Sequence, residues 1–231
     1  MVSDVSPRAM RFFVLAKLNE GQHDAEFAQV KPTYGLAARC SPCGDFVGSL
    51  TWQPPYRGEL ELYGKSPGEL MEAPGGLLMT ERFAEGFKAE GLTGLSGFHP
   101  VEISRVRRKR RGPKPGPPPR YLLAIPTYGP AALDLERSRL RRHRPRACTW
   151  CREAGVDAID GLALEEGTWT GEDVFRPRGL WGDIFVSERF MRLAERHATT
   201  NMAFVPIDKF VWDPLGHFHP RELILDPPNK S

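Results

Sequence analysis

The four cysteines of this 231-residue chain fall in two C-x-x-C pairs, Cys40/Cys43 and Cys148/Cys151. Thiols at that spacing serve two chemistries, soft-metal coordination and dithiol exchange. Arg39-Cys40-Ser41-Pro42-Cys43-Gly44 has the form of a zinc knuckle. A tight turn puts both sulfurs on one side, proline fixes one backbone angle, and glycine admits the positive φ that turns amides toward thiolates. Cys148-Thr149-Trp150-Cys151 is a poorer version, with Arg152 where the glycine would fall. Together, Cys40, Cys43, Cys148 and Cys151 supply the four ligands of one closed tetrahedral zinc per chain, with Zn–S near ~2.3 Å. Four anionic ligands and no open position make such an ion a structural clamp and a poor Lewis acid. The redox alternative needs a helix starting at the pair to lower the first thiol's pKa. Neither pair leads into an amphipathic helix, and residues 45–52 read as a strand. The 104 residues between Cys43 and Cys148 are long for a zinc ribbon, so other elements must bring the knuckles together.

Other reactive side chains do not assemble into a catalytic constellation. His217 and His219 share one face of an extended segment with Asp213 near, but no third ligand is evident and the flanking Pro214, Gly216 and Pro220 suggest a surface turn. His99 and His197 read as packing residues. The acidic group Glu165, Glu166, Glu172 and Asp173 could pair carboxylates across a loop, but a solvated loop explains it as well. No phosphate-binding glycine loop, H-E-x-x-H or G-x-S-x-G occurs. The reading is of a protein that is not an enzyme and has no evident small-molecule substrate.

Self-similarity suggests how the cysteines are positioned. Residues 76–83 line up with 183–190 at an offset of 107, each an apolar strand, a hydroxyl N-cap (Thr80, Ser187), then a helix opening on glutamate. Phe83 and Phe87, then Phe190, Leu193, Ala194 and His197, keep helical spacing. Strand candidates follow each helix at 97–101 and 203–207. Upstream, the cysteine pairs lie 108 residues apart and the strands opening at Phe12 and Tyr121 lie 109 apart. The expected fold class is therefore α+β: two related strand-rich half-repeats, each with a knuckle and a strand-helix-strand unit, joined by the shared zinc. The predicted limits are one domain, 1–231, divided into a half-repeat 8–105, a basic Pro-rich linker 106–119 and a half-repeat 120–225. Residues 66–73 are read as a short helix behind Pro67, and 169–181 as an aromatic loop.

Composition bounds the rest. Pro at 22 and Gly at 23 point to many turns, while 40% hydrophobic residues exclude a mainly disordered chain. No apolar run reaches the roughly 18–20 residues of a membrane span, and the N-terminus lacks a signal-peptide layout. A cytoplasmic location, where thiols stay reduced, is expected. The net charge of +3 is uneven: residues 105–152 carry 15 Lys/Arg against two acids, a surplus of +13, leaving −10 for the remainder. Such a segment can serve nucleic-acid or acidic-protein binding.

The ordered combination of Arg11-Phe12-Phe13-Val14-Leu15, Cys40-Ser41-Pro42-Cys43-Gly44, Leu133-Asp134-Leu135-Glu136, Cys148-Thr149-Trp150-Cys151, Asp173 to Gly179 and Val186-Ser187-Glu188-Arg189-Phe190 resembles the myxobacterial double-CXXCG motif family. The resemblance spans roughly residues 10 to 210. It implies an intracellular immunity protein of interbacterial competition, one that binds and neutralises a cognate toxin. Arg152 departs from the second motif's glycine, which puts that turn's geometry in question. The alternative is a zinc-ribbon-like nucleic-acid-binding protein using segment 105–152.

Overall fold

The computed structural model describes residues 10–18, 20–143, 148–153, 155–197 and 201–218. In chain order the first elements are β1 (Phe12–Lys17), β2 (Ala25–Gln29), β3 (Thr33–Arg39), β4 (Phe46–Gln53), β5 (Arg57–Leu62), β6 (Leu70–Ala73) and β7 (Gly76–Thr80). Next come α1 (Glu81–Ala89), β8 (Leu95–Arg108), β9 (Tyr121–Ala132), β10 (Leu140–Arg142), β11 (Val156–Asp160) and β12 (Val174–Arg178). The chain then forms β13 (Phe185–Ser187), α2 (Glu188–His197), β14 (Met202–Pro206) and β15 (Val211–Trp212).

Strands dominate. Ten join one mixed sheet, in the order β14-β1-β13-β12-β9-β8-β5-β2, with β7 also on β9 and β6 on β7. Two long strands curl it. β8 runs antiparallel to β9 through Leu95–Val101, then leaves it to run parallel to β5. β9 meets β7 antiparallel at its start and β12 in parallel at its end. A small sheet β10-β11-β15 and the hairpin β3-β4 complete the molecule.

The apolar pattern explains why β7 is central. Gly76-Leu77-Leu78-Met79-Thr80 has no polar alternation and all five residues are buried. Leu77 and Met79 join the cluster beneath the helices, while Leu78 joins the opposite cluster with Leu60, Met71 and Tyr121. A strand buried on both faces needs such a continuous run.

Both helices start as their sequences require. The Thr80 hydroxyl accepts from the Phe83 amide at 3.2 Å, and the Ser187 hydroxyl from that of Phe190 at 3.3 Å. Phe83, Ala84 and Phe87 of α1 pack with Phe190, Leu193 and Ala194 of α2 in one cluster. The Phe83 and Phe190 rings meet edge to face at 5.9 Å. Among the described residues no helix is long and apolar enough to cross a membrane.

The expected fold class is corrected by this arrangement. The two α-helices, of nine and ten residues, are minor additions to a curled, strand-rich mixed sheet, not layers of an α+β pair of half-repeats. Nor do two separate halves meet only at a metal. β1 pairs with β13 and β14 from the far end of the chain, and β12 lies on β9. Backbone pairing therefore ties the chain's ends together directly. Local similarity between segments carries no information about which strands pair, and that is where the reading failed.

Two smaller readings also change. Residues 70–73, expected to be helical, form β6, because Leu70, Met71 and Ala73 are buried and Pro74-Gly75 turns the strand back as a hairpin with β7. The stretch 169–181, read as loop, contains β12, whose Val174 and Phe175 are fully buried.

Candidate metal centre

Each cysteine pair sits on a tight turn. The first follows β3 directly and makes the turn of the β3-β4 hairpin. The Gly44 amide donates to the Cys40 carbonyl at 2.8 Å, and the Cys40 amide to the Asp45 carbonyl at 2.8 Å. Gly44 takes φ +77, as the knuckle requires. The Arg39 guanidinium braces the turn, donating to the Gly44 carbonyl at 2.7 Å and covering the Phe46 ring at 3.9 Å.

The second turn follows β10 in the chain. The Arg152 amide donates to the Cys148 carbonyl at 3.2 Å, repeating the Gly44–Cys40 bond, and Arg152 itself takes φ +63. A non-glycine residue there costs about 1–2 kcal/mol. The side chain supplies compensation: Arg152 Nη1 donates to the Leu133 carbonyl at 2.6 Å, and Nη2 pairs with Glu165. The departure from glycine thus leaves the knuckle's backbone intact.

The two turns face each other. The sulfurs of Cys40 and Cys148 are 3.9 Å apart, those of Cys43 and Cys151 3.7 Å, and all four lie within 4.8 Å of one another. Four thiolates at ~2.3 Å from a tetrahedral ion stand about 3.8 Å apart, so the donor set fits a divalent metal. The spacing is far too long for a disulfide, whose sulfurs lie ~2.05 Å apart. Cys40, Cys148 and Cys151 are buried and Cys43 is exposed. Val47, Tyr128 and Trp181 pack around the sulfurs. Trp150 lies 6.0 Å from the Tyr128 ring, and the Arg178 guanidinium covers its other neighbourhood, 5.2 Å from the Trp150 ring centre.

The thiols differ in acidity for opposite reasons. Amide donation from Cys151 and Trp150 favours the Cys148 thiolate and pulls that group down to about 7. Burial pushes Cys151 up to about 12. A divalent cation favours all four thiolates, so its binding releases protons and offsets the cost of charging the buried Cys151.

All four predicted ligands are therefore brought to one place. The other singled-out residues are not. The His217 amide donates to Asp213 Oδ1 at 2.7 Å within a local turn, and His219 lies outside the described residues. His99 stacks on Tyr56 at 4.9 Å. His197 Nδ1 meets Glu69 Oε2 at 2.9 Å across α2 and β6's approach, and Arg82 also reaches that carboxylate at 2.6 Å.

One polar hub escaped the sequence reading. Asp173, read as part of a solvated acidic loop, is 1% exposed. Its carboxylate accepts from the Ser187 hydroxyl at 2.6 Å, the Thr93 amide at 3.0 Å and Arg189 at 3.2 Å. The only sequence signal for it is its position directly before the apolar Val174-Phe175.

Part of the basic segment is spent on internal partners. β8 extends to Arg108, so Arg107 and Arg108, placed by sequence in the linker, are strand residues. Arg107 and Lys109 pair with Glu61, Arg137 with Asp134, and Arg139 with Asp160. Arg108 donates to the carbonyls of Gly64, Lys65 and Pro113. No family model matches the chain, and no curated protein matches it either.

Proposed function

We propose that the protein is a zinc-stabilised, non-catalytic immunity protein that binds and neutralises a cognate bacterial toxin inside the cell. The observation that carries this reading is a closed four-thiol centre at the turn of a hairpin that presents apolar side chains outward. On β3 and β4, Leu36 is 91% exposed and Tyr34, Phe46 and Leu50 are about half exposed. Clustered exposed apolar side chains mark interaction surfaces, and a metal without an open coordination position rigidifies such a surface without adding chemistry. The resemblance to the double-CXXCG family supplies the toxin as the partner class.

Zinc is the ion that soft thiolates in a tetrahedral, four-coordinate arrangement most commonly hold in a structural site. Protein purified without chelator is expected to carry about one zinc per chain by elemental analysis. Finding none, with four freely titrating thiols, overturns the metal part of the reading. The toxin part is tested by identifying a toxin-like reading frame next to this gene and co-expressing its product: growth is restored and the two proteins co-purify. Neither rescue nor binding rejects that pairing. The nucleic-acid alternative draws less support where the basic side chains are already engaged, Arg107 and Lys109 by Glu61 and Arg139 by Asp160.

A further inference from the structure

A cleft of about 390 Å³ opens between the small sheet and the turn that follows β12. Its construction follows from strand register. Ile159 of β11 and Trp212 of β15 are direct cross-strand partners, so their side chains stand on the same face of that sheet. Ile159 is 2% exposed and forms the floor with Leu180, whereas Trp212 is 46% exposed and stands at the rim. Trp181 lines the opposite wall, with Asp183 beside it and Glu153 also at the lining.

The wall is held rigidly. Arg176 Nη1 donates to the carbonyls of Trp181 at 2.7 Å and Gly182 at 2.9 Å. The Asp183 amide donates to the Leu180 carbonyl at 3.3 Å. The Asp183 carboxylate is different: among the described residues it accepts no hydrogen bond and makes no ion pair. Arg176 attracts it from a distance and Glu72 repels it, while burial pushes its pKa up to about 6. A largely desolvated carboxylate with no hydrogen bond and its countercharge only at a distance is costly to keep charged. Trp181 and Trp212 line the same cleft, and indole rings attract cations through their faces and cover aliphatic stems.

We propose that this cleft binds a compact organic cation, a guanidinium or primary ammonium on a short apolar stem, with Asp183 pairing the charge and Trp181 and Trp212 enclosing the stem. The volume accommodates an arginine side chain or a free alkyl-guanidine of similar size. The site is separate from the hairpin surface and does not rest on the toxin reading. The same chemistry could arrive on a protein side chain or as a free metabolite, and the probes separate these sources.

The test is a titration of the full-length, isotopically labelled protein, following the indole N–H signals of Trp181 and Trp212. Agmatine serves as the free cation, N-acetylarginine methylamide as the side-chain mimic, and N-acetylcitrulline methylamide as the neutral control. Saturable shifts of both indoles are expected in the low-millimolar range or tighter, with citrulline at least roughly tenfold weaker. Preference for agmatine identifies a free cation as the ligand; equal or better binding of the capped arginine identifies a side chain. Asp183→Asn should weaken binding at least roughly tenfold, and the rim substitution Trp212→Ala at least roughly fivefold, both with unchanged near-ultraviolet circular dichroism. The proposal falls if neither cation gives a saturable shift, if citrulline binds equally, or if Asp183→Asn keeps both fold and affinity.

Discussion

Arg152 shows two opposing effects meeting in one residue. Its left-handed backbone is disfavoured by about 1–2 kcal/mol, yet its guanidinium is 15% exposed and holds the Leu133 carbonyl and the Glu165 carboxylate. A charged hydrogen bond of this kind contributes about 1.5–3 kcal/mol, so the anchor outweighs the strain. Arg152→Gly, although it restores the motif's preferred residue, is expected to lower stability by about 1 kcal/mol in chemical denaturation; a gain would mean that strain dominates. The thiols beside it set a pH dependence. Protons compete with the metal for thiolates, and Cys148 titrates near neutrality because amides of Cys151 and Trp150 stabilise its anion. Apparent metal affinity should therefore fall with pH across the whole range in which thiols are protonated, more steeply below about 7 where Cys148 joins them. Competition with a chromophoric chelator between pH 8 and 6 measures that steepening.

At the scale of elements, the turn after β12 and the start of β8 make separable predictions. Asp183 has a folded-state pKa raised to about 6 by burial, against an ordinary value of 3.8. The native state thus holds this proton more tightly than the unfolded chain. The cost is absent below about pH 4, grows as pH rises, and is complete above about pH 6. Two pKa units correspond to up to about 3 kcal/mol. Asp183→Asn should accordingly be more stable than the parent at pH 7 and equal to it near pH 4, with the metal's own pH dependence cancelling in the difference. Gly94 shows a steric limit. It has φ +93, and a Cβ there would sit 2.0 Å from the Val174 carbonyl oxygen. That contact is backbone against β12 and cannot swing aside, so Gly94→Ala should cost more than about 2 kcal/mol, with a lower melting temperature as the readout.

Across the whole molecule, the four-thiol centre joins the β3-β4 hairpin to the segment after β10, two regions that otherwise belong to different sheets. The large sheet's apolar clusters are built from residues other than those packed around the sulfurs. Structural zinc contributes on the order of 10 kcal/mol in small domains, comparable to the whole net stability of a typical fold. Chelation should therefore loosen the hairpin first. Amide exchange is expected to rise in β3, β4 and around Cys148–Cys151 while β7 and β9 stay protected, and uniform loss of protection would show the metal to be global in its effect. By itself the sequence determined whatever depends on neighbours in the chain. It marked the two knuckles from cysteine spacing, the helix starts at Thr80 and Ser187 from hydroxyl caps, and the core faces from Phe83, Phe87, Phe190 and Leu193 at helical spacing. It misjudged 70–73 and 174–178 because short apolar runs have no period long enough to separate strand from helix or loop. Tertiary structure alone decided that β1 lies between β13 and β14, that Asp173 is buried, that Arg107 and Lys109 are answered by Glu61, and that Asp183 lines one cleft with two tryptophans. Strand pairing and charge pairing join residues up to some 190 positions apart, and such partners are selected by burial and register, which no local pattern encodes.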